Sequence, residues 1–487
     1  MTLLFIYSII AYDEAGKKRM LASFLNKKST RGGGLSLFLY FFEVIMRIKL
    51  SDHFTYGRLL KFTLPSIVMM VFTSIYGVVD GFFVSNFAGK TAFASVNFIM
   101  PFLMILGTVG FMFGTGGSAI VAKTLGEGDN GKAKQLFSLF VYFSLGLGVL
   151  ISALGLIFLR PIAGLLGAEG EMLEGCVTYG QIIIISVPAF ILQMEFQSFL
   201  VTAEKPTLGL VFTVISGVTN MVLDLLLVAV FPFGIVGAAF ATSISQILGA
   251  LLPLAYFACK NGSLLRLVRT PFEGSAILRA ALNGSSEFMS NISMSLVGML
   301  YNIQLLSYAG ENGVSAYGVL MYVSMVFNAV FIGYSIGSSP VVGFHFGAGN
   351  TAELRGVLRK SIVIIGAFSV AMVALSETLA VPLSELYVGY DVDLYELTTR
   401  AFRIYSFSFL FMGYAIFSSG FFTALSNGLI SAAISFLRTL VIQVAAVLVL
   451  PVFFDIDGIW YSLVVAELLA MMFSFAFLLL KRRRFNY

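Results

Sequence analysis

The sequence predicts an all-α integral membrane protein of twelve transmembrane helices. They form two homologous six-helix bundles, a parallel repeat related by a pseudo-two-fold axis along the membrane normal. Three observations predict this. Hydrophobic residues make up 58% of the chain and charged ones 11%, with a mean hydropathy of +0.94, a balance that no ordinary soluble chain of 487 residues carries. Apolar runs long enough to cross a bilayer recur twelve times. The second half of the chain repeats the first at a fixed offset.

A spanning helix needs about 20 mostly apolar residues, and the runs lie near 60–84, 94–121, 135–159, 178–202, 208–231, 235–258, 280–308, 314–341, 358–381, 399–424, 428–450 and 457–480. Cytoplasmic loops retain Lys and Arg. Assigning the ends and every second loop to one side gathers nineteen basic residues there. The opposite loops hold Lys90 and Arg160, with Arg400 and Arg403 at a helix entrance, beside acids such as Glu169, Glu171, Glu174, Asp391, Asp393, Asp455 and Asp457. Both termini are therefore expected in the cytoplasm, in a multi-pass protein of the plasma (inner) membrane.

These loops account for the net charge of +5, so it reads as a topology signal and not as a nucleic-acid footprint. Cys176 and Cys259 fall on opposite sides and form neither a disulfide nor a metal cluster. His53 and His345 are the only histidines, both near the cytoplasmic surface. That disfavours a membrane enzyme with a histidine base or zinc site and favours a transporter without catalytic residues.

At an offset of 221, the segment from Phe87 to Asn130 lies on that from Tyr308 to Thr351 without a gap, and ten of 44 positions match. Among them are Ala88/Ala309, Gly89/Gly310, Gly116/Gly337, Ser118/Ser339, Gly126/Gly347 and Gly128/Gly349. The same offset pairs Thr202 and Ala203 with Thr423 and Ala424. Six helices per repeat is an even number, so both bundles enter from the same side, as in transporters with a central cavity between rocking halves. The expected organisation is a first bundle over 46–258, a cytoplasmic linker over 259–279 and a second bundle over 280–487.

Acids inside the runs are few: Asp80, Glu195, Asp224 and Glu287, with Glu377 and Glu467 less deep. Intramembrane ionisable residues are costly, and they mark functional sites by default. Asp80 and Asp224 lie in the outer halves of runs 1 and 5, and Thr242 of run 6 reaches a comparable depth. Asn220 and Asp224 are four residues apart and share a helix face. Two carboxylates, a carboxamide and a hydroxyl thus meet in one bundle, a set suited to a reversible proton or to Na+. At the 221 offset Asp80, Asn220 and Asp224 become Tyr301, Val441 and Ala445, so the fold is repeated without the cluster. Buried acids satisfied by serines and backbone are the plainer alternative. Glu287 either pairs with Arg438, the one basic residue deep in a helix, or serves as a secondary cavity acid. Glu195 and Glu467 read as helix-contact or loop-proximal acids. Pro65, fifteen residues before Asp80, adds a possible bend in helix 1.

The stretches "LKFTLPSIVMMVFTSIYGVVDGFF", "GTGGSAIVAKTLGEGD", "TAEKPTLGLVFTVISGVTNMVLDLLL" and "FGIVGAAFATSISQ" resemble the multidrug and toxic compound extrusion (MATE) family. The resemblance is closest to its bacterial MepA-like and DinF-like branch and covers residues 46–487. It implies twelve helices in two lobes, an outward-opening cavity, and export of lipophilic organic cations by alternating access coupled to inward H+ or Na+. It also implies that Asp80, Asn220, Asp224 and Thr242 form the cation-coupling site, and Glu287 resembles a coupling glutamate that other branches place on helix 7. No cofactor is implied beyond the coupling ion, and no metal beyond Na+ at that site. The expected partners are small cationic substrates and membrane lipid, with no nucleic acid, and the chain is expected to be a monomer. A lipid-linked saccharide flippase of the same superfamily fold is the rival reading. Such cavities tend to be cationic, whereas here the intramembrane acids outnumber Arg438.

Residues 1–45 fall outside the resemblance. "MTLLFIYSIIAY" lacks the basic start of a signal peptide, and its apolar run is too short to span. Lys17, Lys18, Arg19, Lys27, Lys28 and Arg31 argue against an extra helix that would carry the amino terminus outside. The expectation is a non-functional extension, with Met46 as an alternative start.

Overall fold

The computed structural model of the protein describes residues 48–487; residues 1–47, on which the expectation for the 1–45 extension falls, lie outside the described residues. All regular structure among the described residues is helical. Helices α1 to α6 are Tyr56–Ala88, Thr91–Gly126, Asn130–Leu165, Gly170–Thr202, Pro206–Val230 and Gly234–Ala258. An irregular segment, 259–273, leads to a short helix, Gly274–Asn283. The next helical stretch, Ser285–Gly347, has 63 residues. At 1.5 Å per residue it would be about 95 Å long, some three times the hydrocarbon core of a bilayer. It is broken at Gly310 (φ 61°, ψ −149°), which makes it two spans, α7 (285–309) and α8 (311–347). Then follow α9 (Thr351–Val388), α10 (Val392–Ser406 and Phe409–Ala424, bent by 48°), α11 (Gly428–Val449) and α12 (Pro451–Phe485). The twelve expected spans are present.

The repeat is visible in the corners of the backbone. Gly89 and Gly310 both turn with positive φ (95° and 61°), as do Gly128 and Gly349 (87° and 66°) and Gly234 and Asp455 (55° and 49°). Each pair is separated by the offset read from the sequence. A chain that leaves one helix and re-enters the bilayer within a few residues needs this left-handed corner, which glycine adopts without a Cβ clash. The caps repeat as well. Asp129 accepts from the Lys132 amide at 2.8 Å at the start of α3, and Asn350 accepts from the Glu353 amide at 3.1 Å at the start of α9.

The bundles meet where α2 packs on the corner that leads into α7, where α1 crosses α8 and where α2 crosses α8, and the crossings obey the same symmetry. A Cβ on Gly116 would sit 2.2 Å from the Ala280 carbonyl oxygen, and one on Gly337 would sit 2.9 Å from the Thr63 Cα. A Cβ on Gly126 would sit 2.0 Å from the Phe344 oxygen, and one on Gly347 2.0 Å from the Lys123 oxygen. Backbone touches backbone only because these side chains are absent. Asn283 fastens the junction by donating to the Gly116 and Thr423 oxygens at 3.2 and 2.9 Å. These contacts lie in the halves of the helices toward the face that carries the 259–273 linker, called here the linker face. At that face, Glu353 accepts from the Phe54 amide at 2.8 Å and lies 2.6 Å from His53 Nδ1. The Leu50 amide donates to Glu204 at 2.6 Å. Burial pushes the Glu204 carboxyl above its ordinary range, against the pull of the Leu50 amide and Lys49.

Gly347→Val is expected to force α2 and α8 apart and to destabilise the protein by about 1–3 kcal/mol, the usual cost of overpacking. A thermal-unfolding series in detergent checks this. Gly146→Val, where a Cβ meets nothing within 4 Å, is the control and leaves the midpoint unchanged.

Candidate coupling site

Asp80 and Asp224 occupy equivalent local settings on two helices. Each is followed within a turn by a wide π-helical stretch, Val84–Ala88 on α1 and Leu225–Val230 on α5. Such π turns recur at functional sites because the extra residue re-aims the side chains beside it. Asp80 is 8% exposed and Asp224 fully buried, and their carboxyl groups lie within hydrogen-bonding reach of one another. Thr242 of α6 donates to Asp80 Oδ1 at 3.4 Å. Asn220, 1% exposed, sits one turn before Asp224 on the same face of α5. The four residues singled out in the sequence are thus neighbours.

The polar atoms of two of them are unsatisfied. Neither oxygen of Asp224 and neither amide atom of Asn220 has a hydrogen-bond partner in the protein. Protein interiors rarely leave so many buried polar atoms orphaned together, and two buried carboxyl groups in contact favour a cation between them. A proton on one oxygen meets that need, and so does Na+ among five or six oxygens. Among the described residues, no group of three or more His, Cys, Asp or Glu is placed to hold a metal ion.

The sequence reading missed Tyr179 of α4. It is fully buried, and its hydroxyl, also without a hydrogen-bond partner, lies beside Thr242 and both acids. Tyr76, one turn before Asp80, flanks the site on α1. A usable signal for Tyr179 was present, since Tyr179, Ser186 and Gln193 recur every seven residues along a mostly apolar run and so share a helix face. Pro65 is buried inside α1, which passes through it as one helix.

The other acids stand apart. Arg438 of α11 bonds through Nε to both oxygens of Glu467 on α12, at 3.0 and 2.8 Å. The pair is buried, with side-chain exposures of 14% and 1%. Glu287, half-buried, lies within electrostatic range of Arg438 without bonding it. The Glu287–Arg438 pairing entertained from sequence therefore gives way to Glu467, which acts as a helix-contact acid, one of the two readings the sequence offered for it. Glu195 is fully buried between α2, α3 and α4, close to Ser144 and Gly114, and its oxygens have no hydrogen-bond partner. In the second bundle, Tyr301 stands where Asp80 stands in the first. Its hydroxyl shares a 2.7 Å hydrogen bond with Ser462, and its ring stacks on Tyr317 at 5.5 Å. A neutral, closed contact replaces the open acidic one. Cys176 and Cys259 are both free.

Comparison with known proteins adds to this picture. A family model described as MatE matches residues 65–226 and 288–448, one stretch in each bundle. The multidrug export protein MepA of Staphylococcus aureus is 26% identical over 449 residues, covering 92% of this chain and 96% of its own. The same-named protein of Staphylococcus saprophyticus is 25% identical over 453 residues, with the same coverage. Among solved structures, an outward-facing conformation of a multidrug resistance MATE family transporter superposes with a TM-score of 0.85 at 22% identity, over 91% of this chain and 98% of that one.

Proposed function

The chain belongs to the MatE family, and from that membership we propose that it is a secondary active multidrug exporter, moving lipophilic organic cations out of the cell by alternating access against inward H+ or Na+. The single observation that carries the coupling is the cluster of buried oxygens at Asp80, Asp224, Asn220 and Tyr179, those of the last three without a hydrogen-bond partner in the protein, present in one bundle and replaced in the other. A monocation arriving between the carboxyl groups satisfies them and draws α1, α5 and α6 together. Its departure leaves like charges in contact and drives them apart. Because α1 also crosses α8, that movement is felt at the junction of the bundles, where glycine contacts allow two packings. The linker face is the cytoplasmic one in this reading, since it gathers the basic loops.

Charge selects the substrate. Among the described residues, the membrane spans carry buried acids at Asp80, Asp224 and Glu195 and a half-buried one at Glu287, whereas Arg438, the base deep in a helix, is already neutralised by Glu467. An opposite charge is favoured in such an interior and an anion is repelled. In proteoliposomes, export of an ethidium-type cation under an imposed pH gradient or Na+ gradient is expected to exceed that of an anionic dye of similar size at least ten-fold, about 1.4 kcal/mol of discrimination. Equal transport of the two dyes, or export that ignores both gradients, sinks the reading. The gradient that drives export identifies the ion.

A further inference from the structure

We propose that the coupling cation leaves the Asp80–Asp224 site through the interior of the first bundle, along a hydrated polar strip that α5 shares with α4 and α6, and not through the space between the bundles. The inference rests on the antiport reading above.

Five residues of α5, Asp224, Asn220, Ser216, Thr213 and Gly209, follow one another at spacings of four, four, three and four, so they line one face of the helix toward the linker face. Gln193 and Gln197 of α4 and Ser245 and Gly249 of α6 stand opposite. All the polar ones are at most 5% exposed. Hydrogen bonds link the upper part: Thr242 Oγ1 to Asp80 Oδ1 at 3.4 Å, Ser245 Oγ to the Thr242 oxygen at 2.9 Å, Ser216 Oγ to the Ser245 oxygen at 2.7 Å, and Gln193 Nε2 to Ser216 Oγ at 3.3 Å. Below that, Gln193 Oε1 and both amide atoms of Gln197 have no hydrogen-bond partner in the protein. They border a cavity of about 10 Å³, also lined by Gly209, Thr213, Gly249 and Pro253. That is room for one water, with polar groups enough to hold it.

Two details separate this strip from incidental polarity. A Cβ at Gly249 would lie 2.7 Å from Gln193 Cδ and 2.8 Å from its Nε2, so the glycine gives the amide its berth. At the 221 offset, Gln193, Thr213, Ser216 and Ser245 become Tyr414, Ile434, Leu437 and Ala466. These four positions of the strip are thus apolar or aromatic in the bundle that lacks the coupling acids, while Gln197 becomes Ser418. A proton passing along it moves from carboxyl oxygen to water and on from oxygen to oxygen. Each water or hydroxyl oxygen, Ser216 and Thr213 among them, releases one proton as it accepts another, while the amides and the Thr242 and Ser245 backbone carbonyls only orient the waters. Na+ would instead pass between the Ser216 and Thr213 hydroxyls and the two glutamine carbonyls. Gln193 and Gln197 are positioning residues in either case.

The test uses the full chain in proteoliposomes. The double variant Gln193→Leu/Gln197→Leu is expected to lose at least ten-fold in export driven by a pH or Na+ gradient. Gradient-free exchange of tetraphenylphosphonium and its affinity should stay within two-fold of the parent protein. Parental gradient-driven export overturns the proposal, and so does an equal loss of both activities, which assigns the glutamines to helix packing. If the double variant does not fold, X-ray hydroxyl-radical footprinting of the unmodified protein decides: oxidation of Phe196 and Phe212, which border the cavity, supports a hydrated strip, and protection of both overturns it. A parent protein that exports under neither gradient refutes the antiport reading alone, and the footprint still answers for the strip.

Discussion

Asp80→Asn and Asp224→Asn are each expected to abolish ion-driven export, lowering it at least about 100-fold, or some 2.7 kcal/mol of lost coupling, while the protein still inserts and folds. The amide keeps the shape of the carboxyl group. It can neither release a proton nor offer Na+ an anionic oxygen, and it relieves the contact of like charges that makes the empty site unstable. Asp224 accepts from no backbone or hydroxyl donor, and an amide there can still donate to Asp80, so a purely structural role predicts little change or a gain in stability. Thr242→Val removes one 3.4 Å hydrogen bond and leaves both acids, so it is expected to cost less than about ten-fold, in keeping with about 1 kcal/mol for one such bond. Initial rates of dye export under an imposed gradient, normalised to protein in the vesicles, check all three. Parental rates in both aspartate variants remove the site from this position.

The aspartates were legible in the sequence because the bilayer makes an acid in an apolar run conspicuous. Their depth followed from counting residues along helices of known polarity, and the Asn220–Asp224 spacing followed from helical period. The repeat was legible for a related reason. Corners such as Gly89/Gly310 and Gly128/Gly349 need positive φ in both halves, and close crossings such as Gly126/Gly347 tolerate no Cβ. Backbone geometry therefore preserved them as side chains diverged. Tyr179 was missed because a tyrosine in an apolar helix is unremarkable until its hydroxyl is seen among acids. The π turns after Asp80 and Asp224 have no composition of their own, as "VSNFA" and "LLLVAV" read like ordinary helix. They arise from packing between helices distant in sequence. Glu467 was legible as a helix-contact or loop-proximal acid but its partner was not, because only the packing of α12 on α11 turns it inward to Arg438.

Breaking the Arg438–Glu467 pair is the second change with a large expected effect. The pair is the main charge contact inside the second bundle, with Glu467 1% exposed and Tyr405 close enough to both residues to feel their charges. Removing one partner of a buried pair leaves an uncompensated charge and typically costs about 3–5 kcal/mol, whereas replacing both with apolar residues of similar size is often neutral. Arg438→Met alone and Glu467→Met alone are therefore each expected to lower the thermal midpoint by many degrees in detergent, and the double variant is expected to recover most of the loss. Two equal and additive losses would show that the residues act independently and that the 2.8 Å contact contributes nothing of its own. Export separates structure from coupling. Since Asp80 and Asp224 lie in the other bundle, the double variant is expected to retain its response to the driving gradient. A stable double variant that has lost that response would place part of the coupling on Arg438 and Glu467, and with it on Glu287, the acid within reach of Arg438.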